Sequence, residues 1–587
     1  MIVAKRVRFL RLVLVLALLA LVVRLVDVQV LESAHYQSQA SRQLAVPVIV
    51  PAVRGGLYSR DGQVLAMSVP TSDVYADDFL IVRPVAEAAA LAPLLHVPAT
   101  KLASELHQRS GYVPLAKQLS NQVGKKIAAA AFPGITVVAD SRRVVPNGNL
   151  AAPVLGIVNG SGNGAAGLEY QYDTALAGKA GSETLLESPA GIALPQNPVR
   201  QTSTEPGTGL ELTLDEALQY QTEQALAAEI LSSHAVSGSA IVMDVKTGDI
   251  LSMANLVASQ GPGPRVPATS PIPIGAGDGV DQAPSNLALT QLFEPGSVFK
   301  LVTFSGALQA GVINPGTTFS VPGQITLDGS IFHDAESHPT EQLTASQILA
   351  QSSNLGTYQI TQALGESRLL AQVKKLGFGV PTGLHFPGES AGILATPAQW
   401  EPTDLVSLPI GQVDAVNAQQ VLDAYNAVAN GGVFVQPRLV RGTVAPDGTA
   451  TATRPSPSRR VISAATNAEL TTMLQGVVAG GTGTSAVVPG YSVAGKTGTA
   501  QIPTPGKDSY VPNAFMATFV GFAPADHPVF SAIVVLNRPT PIYGGTVAAP
   551  VFSQIMSYAL HRYDIPSSPG APSSGGRIGT SQVQDVT

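Results

Sequence analysis

The chain contains no cysteine, which removes thiolate nucleophiles, Cys-type zinc sites and disulfides from consideration. Such a composition suits an exported protein that needs no thiol. Charge is also scarce. Charged residues make up 13% of 587, and the formal net charge of -6 leaves no basic face for phosphates, so no nucleic-acid partner is expected. The nine histidines are scattered and no pair has zincin spacing, so neither a metal site nor a cofactor is expected. Apolar residues are plentiful at 45%, with 57 Gly and 45 Pro, which describes a folded chain rich in turns. At this length more than one domain is expected.

Lys5, Arg6, Arg8 and Arg11 precede an apolar run from Leu12 to Val23, and Arg24 and Asp27 interrupt the apolar stretch that follows. A membrane span needs ~20 mostly apolar residues, so the run by itself could also be the core of a cleaved signal peptide. The nearest small-x-small triplet, Ser38-Gln39-Ala40, lies far downstream of the run. The reading adopted is an uncleaved anchor over 9–30 with Arg11 and Arg24 snorkelling. Residues 1–8 then form a cytoplasmic tail, and the body lies outside.

Beyond the anchor, Val-rich Ala45 to Pro51 reads as extended, and Asp61-Gly62 between apolar runs signals a hairpin. Ala86 to His96, Ala99 to His107 and Asn121 to Ala131 read as helices, and Gly-rich turns surround Gly167-Leu-Glu-Tyr170. No nucleophile and base pair is found in 31–205, which is read as a pedestal or docking domain. A second domain is expected over 206–565. It opens with Asp215 capping a helix from Glu216 to Leu231. The strands Ala240 to Val245 and Ile250 to Met253 then flank a Lys246-Thr-Gly-Asp249 turn. Ser259 to Pro284, dense in Pro and Gly, reads as a long loop of the kind that borders active sites. Met516 to Phe522 and Val529 to Leu536 read as strands, and Val551 to Leu560 as a helix begun by Pro550. Residues 566–587 read as a disordered tail. The fold class is α+β, with an antiparallel sheet flanked by helices in the second domain.

A serine hydroxyl becomes nucleophilic only beside a base. Ser297 and Lys300 stand three apart in Glu294-Pro-Gly-Ser-Val-Phe-Lys300, so one helical turn puts them on one face. Pro295-Gly296 suits a helix start, whose dipole favours a developing alkoxide. Lysine can act as a base only if burial or a nearby cation lowers its pKa. A bare Ser-x-x-Lys usually marks an ordinary surface helix, but this is the only one in the chain. Downstream lie Ser352-Ser-Asn354, where Ser352 and Asn354 can face the same point, and Lys496-Thr-Gly-Thr499. On an edge strand, Lys496, Thr497, Gly498 and Thr499 would offer a cation for a carboxylate and a backbone N–H for an oxyanion.

Three decoys share these patterns. Ser161-Gly-Asn163 and Lys246-Thr-Gly248 both precede the nucleophile and read as turns. Gly490 to Thr497 matches a phosphate-binding loop. That loop needs a preceding strand and a helix opening at Lys-Thr. Here Asn467 to Val478 reads as a helix, and Gly498, Pro503 and Pro505 oppose a helix downstream.

With these elements in this order, the chain resembles the class B penicillin-binding proteins. The likeness extends to the anchor, Arg54-Gly-Gly-Leu-Tyr-Ser-Arg-Asp-Gly62, Gly167-Leu-Glu169, Phe293 to Lys300 and Ala494-Gly-Lys-Thr-Gly-Thr-Ala-Gln501. Asp334-Ala335, Leu343 to Gly356 and the lack of added C-terminal modules look most like the division-specific, FtsI-type subgroup. One departure is Pro284-Ser-Asn-Leu-Ala288, where the family often shows Arg-Asn-Arg-Ala.

The resemblance implies a D,D-transpeptidase that crosslinks peptidoglycan stem peptides during septal wall synthesis. In it Ser297 is the nucleophile, Lys300 the base, Ser352 a proton relay and Asn354 a ligand for the substrate amide. Lys496, Thr497 and Thr499 hold the donor carboxylate, and the backbone N–H groups of Ser297 and Thr499 form the oxyanion hole. It further implies acylation by β-lactams. The pedestal would be a dimerisation or docking domain, partnered with a SEDS-type glycosyltransferase and other division proteins. A D,D-carboxypeptidase or β-lactamase-type hydrolase, and a non-catalytic scaffold or antibiotic sensor, are the competing readings.

Overall fold

The structure is a computed structural model describing residues 2–33, 35–36, 45–186, 200–259, 272, 274, 279–401, 403–507 and 509–571. A helix over Ile2–Val26 continues as a wider turn, Asp27–Leu31. Its stretch Ala4–Leu31, with an 18-residue window of mean hydropathy 2.7, is long and apolar enough to cross a membrane. Near its end Arg24 pairs with Asp27.

The rest forms two compact units that interleave along the chain. The first takes 1–55, 68–144 and 177–207, and the second 56–67, 145–176 and 208–587. This differs from a single cut at 205/206, because two segments of the expected pedestal belong to the second unit. Leu57–Tyr58 and Gly209–Leu212 pair in parallel there, and Leu168 and Leu176 lie in the main core of that unit. In the first unit, the helices Pro84–Leu95, Ala99–Glu105 and Asn121–Ala130 pack Leu91, Leu102 and Ile127 around Val74. The expected hairpin turn at Asp61-Gly62 joins Leu57–Tyr58 to Val64–Ala76.

The second unit is built on a six-stranded sheet. Its strands are β1 (Ser237–Asp244), β2 (Ile250–Ala258), β3 (Val280–Gln282), β4 (Ala494–Pro503), β5 (Tyr510–Ala523) and β6 (Phe530–Asn537), in the order β3-β2-β1-β6-β5-β4. Every neighbouring pair is antiparallel. Alternation sends successive side chains to opposite faces. Ala240, Val242 and Phe519 enter one core with α1 (Glu216–Ser232). Ile241, Met243 and Val520 enter the other with α2 (Lys300–Gln309), α3 (Ala345–Gln351), α4 (Asn354–Leu364), α5 (Ala418–Ala429) and α6 (Ala464–Gly480). α7 (Gly544–Arg562) closes the first core. Asp215 caps α1 as expected, its carboxylate accepting the Leu218 N–H at 3.0 Å.

Three expectations need correction. Val280–Gln282 lies within the expected loop yet is a strand, because β2 offers it an edge on which Leu256 faces Gln282; most of 260–278 lies outside the described residues. Pro550 sits inside α7 rather than at its start. In the second helical turn it forfeits one hydrogen bond, while the true start is set by Gly544 packing on the sheet, where a Cβ would come 2.3 Å from Thr518 O. Of the expected tail, Ser568 is ordered, because its hydroxyl donates to Asp526 (2.6 Å) and accepts the Ser492 N–H (3.0 Å); 572–587 lie outside the described residues.

Candidate active site

Ser297 stands on a tight helical turn, Gly296–Phe299, that runs directly into α2. Val298 and Phe299 are buried and anchor the turn, and the Tyr425 hydroxyl of α5 donates to Val298 O at 2.8 Å. The Gly296 N–H donates to Gly411 O at 2.8 Å. Gly411 has φ +82°, and a Cβ there would sit 2.2 Å from Gly296 O, so only glycine lets the two backbones meet. On the other side, a Cβ on Gly498 would lie 3.0 Å from Val298. The turn is thus clamped from both sides, and the half-buried Ser297 side chain borders a cleft of about 1000 Å³.

Lys300 is fully buried. Its ammonium donates to Asn354 Oδ1 at 2.8 Å, to Ser352 Oγ at 3.2 Å and to Ser352 O. Burial pulls its pKa down to about 7, against the opposing pull of Asp334. Lys496, on edge strand β4, is equally buried and donates to the same Ser352 Oγ at 2.9 Å. Burial, then the Lys300 charge, drive it well below the ordinary lysine range. Two ammonium groups sharing one hydroxyl in a dry site cannot both keep their protons cheaply, so this pair can supply an uncharged amine near neutral pH. Among the described residues, the Ser297 hydroxyl itself has no hydrogen-bond partner. Contacts of that kind commonly tighten only when substrate binds.

The Ser-x-Asn element gains its meaning from a turn. Thr344 and Gln347 box the start of α3, and the helix ends at Ser352 with φ +63°. This left-handed residue costs ~1 kcal/mol or more and turns both its carbonyl and its hydroxyl to Lys300. Ser353 caps α4 through the Gly356 N–H at 2.9 Å. Asp334 is buried and accepts the N–H groups of Asn354 and Leu355, a carboxylate at a helix start.

Opposite stands β4. Thr497 Oγ1 lies 2.7 Å from Thr482 Oγ1, and the Gly544 N–H at the start of α7 donates to Thr499 Oγ1 at 3.2 Å. Ser297, Ser352, Asn354, Thr497 and Thr499 all line the cleft. Lys300 and Lys496 approach it through Ser352, whereas Gly498 serves as the packing contact. The sequence reading missed Asp334 and His338 as chemistry, and it missed Tyr425, Thr482 and Gly411. Only Asp334 carried a signal, as part of a subgroup pattern.

The decoys resolve as turns or strands. Lys246-Thr-Gly248 lies in the β1–β2 turn, where Asp244 Oδ1 accepts the Thr247 N–H at 2.8 Å. Ser161 and Asn163 wrap the Asn159 side chain at 2.9 and 3.1 Å. Lys496 and Thr497 lie in a strand, not at a helix start.

Comparison with known proteins agrees with this geometry. Residues 238–557 match the penicillin binding protein transpeptidase domain, and 49–214 match the penicillin-binding protein dimerisation domain. The chain is 32% identical over 595 residues to penicillin-binding protein PbpB of Mycolicibacterium smegmatis, covering 94% of this chain and 90% of the relative. It is 29% identical over 531 residues to peptidoglycan D,D-transpeptidase FtsI of Escherichia coli, covering 88% and 84%. Penicillin binding protein 3 of Mycobacterium tuberculosis, solved in complex with aztreonam, superposes with a TM-score of 0.67 at 31% identity, over 89% of this chain and 99% of that one. With one helix among the described residues apolar and long enough to span a membrane, at the N-terminus, the chain is a single-pass membrane protein, and it belongs to the penicillin-binding protein transpeptidases, in the class B, FtsI-like subgroup, as a peptidoglycan D,D-transpeptidase.

Proposed function

We propose that Ser297 is the acylated residue and Lys300 its base. The observation that carries this reading is the pair of fully buried lysines bonded to one serine hydroxyl beside the cleft. Uncharged Lys300 takes the Ser297 proton as Oγ bonds to the carbonyl carbon of the penultimate D-Ala. The peptide C–N bond then breaks, and the terminal D-Ala leaves with a proton relayed through Ser352 Oγ. The amine of a second stem peptide attacks the ester, the amide crosslink forms, and the proton returns to Ser297. Lys496, Thr497 and Thr499 hold the donor carboxylate, Asn354 holds the substrate amide, and the Ser297 and Thr499 N–H groups receive the oxyanion.

β-Lactams acylate the same serine in this reading, supported by the aztreonam complex of the mycobacterial relative. Labelling with a fluorescent penicillin and mapping the labelled peptide tests the assignment. Label on Ser297 is expected, and label on any other residue overturns it. Slow release from a chromogenic β-lactam is expected, and rapid continuous hydrolysis would favour water as the acceptor.

The cations at Lys5, Arg6, Arg8 and Arg11 put residues 1–8 in the cytoplasm and the catalytic domain, 206–565, outside. Residues 31–205 act as the pedestal and dock a SEDS-type glycosyltransferase and other division proteins at the septum. Deleting that region while keeping Ser297 should abolish partner-dependent glycan polymerisation; unchanged polymerisation removes the docking role.

A further inference from the structure

One lip of the cleft is the loop that includes Asp334, Glu336 and His338, with Glu341 at the start of the strand that follows. Nothing in the mechanism above uses His338. Its imidazole is mostly buried, with its side chain 16% exposed, and its Nε2 lies 3.1 Å from Asp334 Oδ2. Its Nδ1 lies 2.7 Å from Pro339 O. A carbonyl oxygen can only accept. Asp334 already accepts two backbone N–H groups on Oδ1, and a carboxylate oxygen is an acceptor. Both ring nitrogens therefore face acceptors, and only the imidazolium satisfies both.

Asp334 in turn faces two ways. It receives the first N–H groups of α4, and so fixes Asn354, whose Oδ1 accepts from Lys300. Its charge also acts on Lys300, favouring the ammonium form. We propose that His338 is a positioning residue of this site: by compensating Asp334 it holds the start of α4 in place and keeps the Lys300 amine available as a base. The inference rests on the reading of Ser297 and Lys300 given above.

The charged groups around this chain of contacts are known. The Pro339 carbonyl favours the protonated form of His338 most, burial opposes it, and Asp334 and then Glu341, which His338 also faces, add to the rise. Asp334 faces His338 and Lys300, and Lys300 faces Asp334 and Lys496. Glu336 shares the lip. Removing the imidazolium leaves Asp334 uncompensated, so the Lys300 proton is held more tightly.

The test is the rate of acylation of the full-length protein by a chromogenic β-lactam, measured from acidic to alkaline pH for wild type, His338→Gln, Asp334→Asn and the double variant. His338→Gln should move the midpoint of the rise in rate upward by ~0.5–1 pH unit, which lowers the rate near neutrality by roughly 2- to 5-fold. Asp334→Asn should move it downward, and adding His338→Gln to Asp334→Asn should shift it no further. The midpoint is the readout because lost packing alone lowers the whole profile without moving it. A His338→Gln midpoint equal to wild type overturns the proposal, as does an equal shift with and without Asp334. Failure of the Ser297 reading looks different: label then maps elsewhere in every variant, whatever the midpoint.

Discussion

Replacing Lys300 by methionine tests the buried amine without any substrate. The side chain keeps its length but loses its proton-binding group. In the folded wild type Lys300 releases its proton near pH 7, against the ordinary lysine value of 10.5. Between these values the unfolded chain holds more protons than the folded one, so stability rises with pH across that interval. One proton contributes a slope of up to about 1.4 kcal/mol per pH unit, or about 2.3 kcal/mol between pH 7, where the folded group is half titrated, and pH 9. Lys300 is fully buried, so solvent screening takes little from this figure. Lys496 shares the direction and persists in both proteins, but the Lys300 charge helps to lower it, so the difference in slope reads the coupled pair with Lys300 removed. A counter-effect comes from the Ser352 carbonyl and Asn354 Oδ1, which lose the Lys300 donor at ~1 kcal/mol each, while the Ser352 hydroxyl keeps Lys496; this offset does not vary with pH. The single tryptophan, Trp400, lies in the catalytic unit, so urea denaturation followed by its fluorescence reads that unit alone. The variant should lose both acylation and about one proton's worth of slope. Equal slopes for the two proteins would show that Lys300 stays protonated into alkaline pH, and the argument for it as base would fall.

Other perturbations probe the frame around the site. Gly411→Ala should slow acylation at least tenfold and cost about 2–3 kcal/mol, since its Cβ would meet Gly296 O at 2.2 Å; wild-type rates and wild-type urea midpoints would refute the clamp. Asp414 is pushed up to about 6 by burial, with the Glu294 charge adding, so the folded chain binds its proton more tightly and stability falls from pH ~4 to ~6. Asp414→Asn should remove that fall and gain up to ~2 kcal/mol at pH 7, checked by the same urea titration at several pH values; an unchanged profile counts against it. Asp215 is raised by burial, but Arg562, the Leu218 N–H and Tyr563 outweigh this and set it below the ordinary range. Its contribution is therefore present above pH ~4 and lost as pH falls. Asp215→Ala should cost ~2–3 kcal/mol at pH 7, and a cost below ~0.5 kcal/mol would show that the cap and ion pair contribute little.

The features legible in the sequence are those whose cause is local. Asp215 announces the start of α1, the Lys246 to Asp249 turn announces the β1–β2 hairpin, and Ser297 and Lys300 need only three residues of spacing. What failed depends on partners distant in sequence. Val280–Gln282 is a strand only because β2 has an edge to offer, and composition alone reads it as loop. Pro550 starts a helix by propensity, yet the sheet contacts of Gly544 set the start one and a half turns earlier. The membership of 56–67 and 145–176 in the catalytic unit is decided by packing that no local pattern encodes.

The same distinction explains why Ser-x-Asn is so weak as a string and so central in the fold. Its chemistry lies less in the identity of Ser352 than in its left-handed backbone between two capped helices, which turns a carbonyl and a hydroxyl toward one lysine and the hydroxyl toward a second. Ser161 and Asn163 have the same side chains, but they wrap around Asn159 in a surface turn. A Ser352 replaced by alanine would therefore lose only the shared hydroxyl and retain the carbonyl contact to Lys300. The hydroxyl bridge between the two lysines would then be gone, their charge repulsion would persist, and Lys300 would stay in place. Acylation should fall but not vanish, and the Lys496 ammonium, left with only the Thr497 oxygens as acceptors, should give up its proton more readily still.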